Sequence, residues 1–231
     1  MGRSVVLAGA ARCPRCSQPP RWCVCDAFPP VQTRVSVHLL IHRHELRKPS
    51  STGNLIARAV TGVTCHVYQR LSRHFPASGL PPGAIEPDRE LWILHPSGEP
   101  MPAVAPRADD ACRDGVPILL LDGTWRQAGE MLRTVEGQGR RVRLPDAFDT
   151  PGRYWLRDQP AAGHLSTAEA LVGVLHAVGD PAAARQLQLH FELHVYATLL
   201  ARGKREMAER YLGHSPLLTA GRDALDRLHA R

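Results

Sequence analysis

The sequence predicts an α/β protein with a largely parallel sheet and flanking helices, preceded by a small cysteine-rich knuckle. Three observations carry this reading. Short β-rich runs alternate with helical patterns from Val35 onward. One of those runs, Pro117-Ile-Leu-Leu-Leu121, is almost wholly apolar, as a central strand covered on both faces requires. Four of the six cysteines fall between Cys13 and Cys25. The 231 residues suffice for one large domain with a small appendage, divided here into a knuckle of residues 1–30 and a main domain of residues 31–231.

In chain order, the knuckle closes at Phe28-Pro29-Pro30, and Val35 to His42 reads as a strand buried on at least one face. Ser50-Ser51-Thr52 caps a helix with Leu55, Ile56, Ala59 and Val60 at helical spacing, and Cys65 to Tyr68 makes a second strand. A Pro/Gly-rich loop from Pro76 to Pro87 leads to a strand, Leu91 to Leu94, that stops at His95-Pro96-Ser97-Gly98. A proline-rich connection, Pro100 to Pro106, precedes the strand at Pro117, which runs into Asp122-Gly-Thr-Trp125 and a helix through Met131 and Val135. A short strand, Arg141 to Leu144, and a polar segment, Pro145 to His164, follow. Ser166-Thr-Ala-Glu169 is a capping box opening a helix with Leu171, Val174, Leu175 and Val178. Asp180-Pro181 starts the next helix, carrying Leu187, Phe191, Val195 and Leu199, and one short helix is expected after Gly213.

The formal charge is +7 with a pI near 9.5, and only Lys48 and Lys204 are lysines among 29 cations. An arginine-rich surface favours an anionic partner, nucleic acid first. Arginine usage driven by a GC-rich coding sequence would look the same. No apolar run approaches the roughly 18 residues of a membrane span. The apolar stretch in Met1 to Ala11 is at the minimum length for a signal peptide and Arg12 interrupts the approach to Cys13, so that reading is discounted, and the clustered cysteines favour metal in a reducing cytoplasm. Cys65 and Cys112 stand alone.

Cys13-x2-Cys16-x6-Cys23-x-Cys25 offers four thiolates on proline-stiffened turns, a set suited to one tetrahedral Zn2+ in preference to two disulfides. Arg12, Arg15, Arg21 and Trp22 lie among these thiols, so the knuckle either contacts RNA, with Arg15 and Arg21 as the contacts, or is a purely structural clip. Asp122-Gly-Thr-Trp lies where a buried strand becomes a helix, the position at which open α/β sheets collect ligands. The alternative is that Asp122 caps its own helix with Trp125 packed beneath it. His190-Phe-Glu-Leu-His194 has the wrong Glu offset for a zinc protease and reads as a helix face, while His38, His42 and His44 read as surface or loop histidines. Gly137-Gln-Gly139 lacks a third glycine and no P-loop is present, which argues against Rossmann or Walker nucleotide binding.

Taken together, the segments resemble the DTW-domain family, the tRNA-uridine aminocarboxypropyltransferases. The resemblance rests on Cys13-Pro-Arg-Cys16 with Cys23-Val-Cys25, His42-Arg-His-Glu45 followed by Thr52-Gly-Asn-Leu55, Leu94-His-Pro-Ser97, Asp122-Gly-Thr-Trp125-Arg-Gln-Ala128 and Leu165-Ser-Thr-Ala-Glu-Ala170. It implies a SPOUT-like knotted catalytic domain, S-adenosylmethionine as donor, tRNA as partner, and transfer of the 3-amino-3-carboxypropyl group to N3 of a uridine. The corners Leu94, His95, Pro96 and Ser97, then Asp122, Gly123, Thr124 and Trp125, then Arg157, Leu165, Ser166, Thr167 and Glu169 are expected to enclose the donor. Asp122 is the candidate general base, since the imide N–H of uridine must lose its proton to attack. Arg157 or the Ser166 helix start would hold the donor carboxylate, and Trp125 would stack on a ring. One departure is Pro49-Ser-Ser-Thr-Gly53, where the family more often has Thr-Asn-Thr-Gly. The competing readings are an RNA methyltransferase of the same fold and a non-catalytic zinc-knuckle protein of RNA binding or ribosome assembly. No membrane association and no stable protein partner are implied.

Overall fold

A computed structural model describes residues 11–69, 80, 85, 89–102, 116–145, 152–157 and 165–230. The start of the chain, Cys112, and parts of the two proline-rich connections and of the polar segment before His164 lie outside the described residues. Five strands form one parallel sheet: β1 (Ser36–His42), β2 (Thr64–Tyr68), β3 (Trp92–Pro100), β4 (Pro117–Asp122) and β5 (Arg140–Arg143), in the order β2-β1-β4-β3-β5. The helices are α1 (Thr52–Ala59), α2 (Trp125–Thr134), α3 (Thr167–Ala177), α4 (Pro181–Ala201), α5 (Arg205–Leu212), α6 (Leu217–Ala220) and α7 (Arg222–His229).

Alternation along the strands assigns the two faces. Val37, Leu39, Ile41, Ile118 and Leu120 pack with α1, α3 and α4, whereas Leu40, Ile93 and Leu119 pack with Met131, Leu132 and Val135 at α2. Both faces of β1 and β4 are therefore dry, which explains their unbroken apolar runs. The 21-residue α4 is buried along most of its length, and α1, α3, α5 and α6 pack against it.

Three expectations are corrected. The strand at Leu91 continues through His95–Gly98 to Pro100, because a register shift between Leu94 and Glu99 absorbs the irregular residues while pairing with β5 resumes. Gly98 is needed there, since a Cβ would lie 2.5 Å from the backbone of Val142. The C-terminal stretch holds two short helices rather than one, split at Gly221. His38 and His42 are buried: His38 stacks on His66 and His42 packs on Tyr68, while His44 is exposed. The strand turned their side chains toward other rings instead of water.

Residues 20–28 sit on α4 and the main core through Trp22, Val24 and Phe28, and Gln18 donates to Thr198 Oγ1 of α4. His190 and Glu192 of α4 are both buried, His190 against the Pro29 carbonyl and Glu192 in a two-point ion pair with Arg153 at 2.5 and 2.7 Å. That pair ties the segment before α3 to the core. Removing only the cation would strand a buried carboxylate. We expect Arg153→Ala to lower stability by about 3–5 kcal/mol, and by much less in a Glu192→Leu background. Chemical denaturation of the four proteins checks this; equal costs in both backgrounds would contradict it.

Candidate functional site

In a parallel sheet ordered β2-β1-β4-β3-β5, the connection from β1 leads to one side and that from β4 to the other. The crevice between their carboxyl ends is the position at which such sheets take ligands. Asp122, the last residue of β4, lies there, paired in register with Ile41 and 4% exposed. Its carboxylate accepts three hydrogen bonds: Oδ1 from the Gly53 backbone N–H at 3.0 Å and from Thr167 Oγ1 at 2.7 Å, Oδ2 from Ser51 Oγ at 2.8 Å. One side chain thus joins the end of β4 to the first turns of α1 and α3. Burial is the largest influence on Asp122 and raises its pKa, while the Thr167 and Ser51 hydroxyls work in the opposite direction.

Asp122 does not cap α2, as the alternative reading held. Thr124 is the N-cap, forming a reciprocal capping box with Gln127. Trp125 is not packed under Asp122 either; it opens the helix with its indole 39% exposed. The Ser166–Glu169 capping box is present as read, and Glu169 also accepts from the Arg153 backbone N–H. Burial pushes the Glu169 carboxyl up.

Arg157 belongs to the same neighbourhood, but its guanidinium is engaged. It donates to Glu45 Oε2 at 2.5 Å, and Lys48 donates to Glu45 Oε1 at 2.6 Å. Burial would raise the Glu45 carboxyl, yet Arg157 and Lys48 outweigh it and hold its pKa below the usual range. Tyr154 donates to the Ser50 carbonyl, and burial pushes its phenol up to about 12. The Leu94–Ser97 corner is built differently. β3 pairs with β4 only at Trp92 and Ile93 and then runs with β5, where His95 Nδ1 and Ser97 Oγ are 2.8 Å apart and Arg141 donates to Ser97. Among the described residues, no hydrogen bond links it to Asp122.

Sequence reasoning missed Glu45, Ser51 and Gly53 as parts of this centre. A signal existed at Gly53, because glycine in the first turn of a helix is a poor helix former and often marks close approach. A Cβ on residue 53 would meet Asp122 Cγ at 2.4 Å. Asn54 donates to the carbonyls of Glu45 and Leu46 and shapes the turn after β1.

The four knuckle thiols gather independently of this centre. All four Sγ atoms lie within 4.8 Å of one another, with Cys13–Cys25 at 3.9 Å and Cys16–Cys23 at 3.8 Å. Zinc with 2.3 Å bonds sets tetrahedral sulfurs about 3.8 Å apart, so the set fits one ion. The cysteines are free, so no disulfide occupies them. Arg15 pairs with Asp26 at 2.6 Å at the surface, and Arg21 lies over the Trp22 ring at 5.0 Å.

A family profile for the DTW domain matches residues 10–199. The chain belongs to the DTW domain family. Its curated relatives include tRNA-uridine aminocarboxypropyltransferase 2 of Macaca fascicularis, 28% identical over 166 residues, covering 68% of this chain and 53% of that protein. The Mus musculus protein of that name is 28% identical over 168 residues, with 68% and 53% coverage, and the Drosophila melanogaster one 26% identical over 162 residues, with 68% and 62%. The chain therefore spans a little over half the length of these relatives. No solved structure matches. No helix among the described residues is long and apolar enough to cross a membrane.

Two measurements follow. Purified protein is expected to carry one zinc, and Cys16→Ser to lose it, with increased hydrogen exchange in residues 11–30 and an unchanged sheet; a zinc-free wild type would contradict this. Gly53→Ala should cost about 1–3 kcal/mol by overpacking, and less in an Asp122→Ala background, which removes the contacts with Cγ and Oδ2 at 2.4 and 2.6 Å and leaves only the one with Cβ at 2.7 Å. A thermal double-mutant cycle with no coupling would contradict the contact.

Proposed function

We propose that this protein is an S-adenosylmethionine-dependent tRNA-uridine aminocarboxypropyltransferase whose reaction centre is the Asp122 corner. The observation that carries the reading is a buried carboxylate at the sheet's switch point, bonded to two helix starts, in a chain of the DTW family. The relatives' names support the substrate and the transferred group. A SPOUT-like knotted trace of the C-terminal part and a cytoplasmic setting belong to the same reading; free thiols and the parallel sheet agree with them.

In the proposed step, uridine N3 attacks the aminocarboxypropyl carbon bonded to the sulfonium. The N–C bond forms, the C–S bond breaks with its electron pair going to sulfur, and methylthioadenosine leaves. The N3 proton passes to Asp122. Three of the four lone-pair positions of that carboxylate are filled, two on Oδ1 and one on Oδ2, so Oδ2 keeps one position for the proton. A carboxylate with a raised pKa is the better proton acceptor. Trp125 is proposed to stack on a ring. Arg157, Ser166 and the neighbouring residues of α3, with Leu94 to Ser97, Gly123 and Thr124, are proposed to line the donor, and Arg15 and Arg21 to touch tRNA.

Asp122→Asn tests the base separately from the scaffold. The amide oxygen can keep the two Oδ1 donors while the amide nitrogen donates to Ser51, whose hydroxyl also accepts, so folding and donor binding should survive. Transfer should fall by about 10²–10⁴. Donor labelled separately in the methyl and aminocarboxypropyl carbons, with unmodified tRNA as acceptor, reads the outcome. Only aminocarboxypropyl label should enter tRNA; methyl label would indicate a methyltransferase, tRNA binding without transfer a binding protein, and full activity of Asp122→Asn would remove its role as base. Because the folded pKa is raised, the ionised base is lost as pH falls through that raised value, so the acid limb of kcat/KM should lie above the ordinary aspartate range. A limb at the ordinary range would contradict the buried base.

A further inference from the structure

A cleft of about 1010 Å3 lies between the knuckle, the turn joining β1 to α1, and the C-terminal end of α4. Its lining contains Arg12, Arg15, Arg47, Arg58, Arg202 and Lys204, and no aspartate or glutamate. Arg15 is paired with Asp26 at 2.6 Å, and the other five cations share one concave surface, where they repel one another and low-dielectric walls concentrate their field. Some are oriented by the protein: Arg12 donates to the Ser17 carbonyl, Arg58 to His194 Nδ1, and Arg202 to the Leu156 carbonyl. Burial, followed by the neighbouring Arg58 and Arg202, pushes the His194 pKa well down, so this imidazole stays neutral and adds no charge of its own. Arg47 and Lys204 are exposed, and among the described residues their side chains make no hydrogen bond or ion pair.

We infer that this cleft is the track for the sugar-phosphate backbone of the RNA strand that carries the target base. The inference rests on the proposed function for the identity of the RNA. Three features favour a polyanion over a small anion. The positive charge is spread over three separate chain segments, residues 12–15, 47–58 and 202–204, instead of converging on one point. The volume is at the upper limit of small-molecule sites. The remaining lining holds no aromatic ring and includes Pro14, Leu46 and Pro49, a surface that follows a backbone without reading bases.

The cleft is also connected to the Asp122 corner. Leu46, Arg47, Pro49 and Asn54 line it, while Glu45, Ser50, Ser51 and Gly53 of the same turn face Arg157 and Asp122. Arg202 touches both sides, lining the cleft and holding the carbonyl next to Arg157. A uridine with an accessible N3 edge is unpaired, so its strand is locally single, and a strand in this cleft would deliver that base across one turn of chain.

The experiment compares Arg47→Ala with Lys204→Ala, as one double variant, against the charge-matched Arg133→Ala with Arg222→Ala, whose arginines are exposed and outside the cleft. Binding of unmodified tRNA is measured across salt. Losing two phosphate contacts should make the log–log salt slope shallower by about 1.4–1.8. The KM for tRNA should rise with kcat and donor affinity unchanged, while the matched pair keeps the wild-type slope. Equal slopes for wild type and cleft variant, or equal changes in both variants, would overturn the track. Loss of donor affinity in the cleft variant would make the cleft a donor pocket and overturn it as well. The two readings fail separately: a cleft-specific slope change without aminocarboxypropyl transfer by wild type removes the proposed reaction alone, and normal transfer without a slope change removes the track alone.

Discussion

The Asp122 carboxylate is the constraint on which the rest of the arrangement depends. It ends the central strand β4 and accepts from the first turn of α1 and from the first turn of α3, two elements separated by more than a hundred residues of chain. A buried anion is tolerated when hydrogen bonds compensate its lost hydration, and here two hydroxyls and one backbone N–H fill three of its four lone-pair positions. Two helix N-termini directed at one carboxylate add the favourable ends of two backbone dipoles. The cost of burial appears in the raised pKa, which is also what suits the group for accepting a proton.

Other features follow from that placement. Residue 53 is glycine because the carboxylate occupies the space a Cβ would need. Ser51 both caps α1 and donates to Asp122, so the helix start and the carboxylate share one hydroxyl. The turn after β1 is closed by Asn54 and by the Glu45 pairs with Arg157 and Lys48, which fix the segment before α3 against the same strand end. The corner is therefore rigid on three sides, while Trp125 at its rim is partly exposed. On the far side of the turn, the knuckle rests on α4 and contributes cations to the basic cleft.

Much of the fold was legible in the sequence. The apolar run at Pro117 announced the central strand, and the capping boxes and Asp180-Pro181 marked the starts of α3 and α4. Strand order was not legible, because periodicity reports which faces are buried and not which strands are neighbours. β3 was read too short because Pro96 and Gly98 look like a stop, whereas a register shift in its pairing with β5 accommodates both. At the site, Asp122 and the four thiols were singled out from position and spacing, but the one structural partner that local sequence offered for Asp122 was its own helix, which Thr124 caps instead. The carboxylate's partners lie 45 to 71 residues away, and local capping rules cannot see them. The basic cleft was invisible for the same reason, since its cations come from three distant segments.

The most direct test of the central claim is a crystal structure with S-adenosylmethionine bound. The account predicts the donor at the carboxyl ends of β1 and β4, with its aminocarboxypropyl chain toward the Asp122 carboxylate and its adenosine toward Trp125 and the start of α3. A donor seated away from Asp122, for example in the basic cleft, would contradict it.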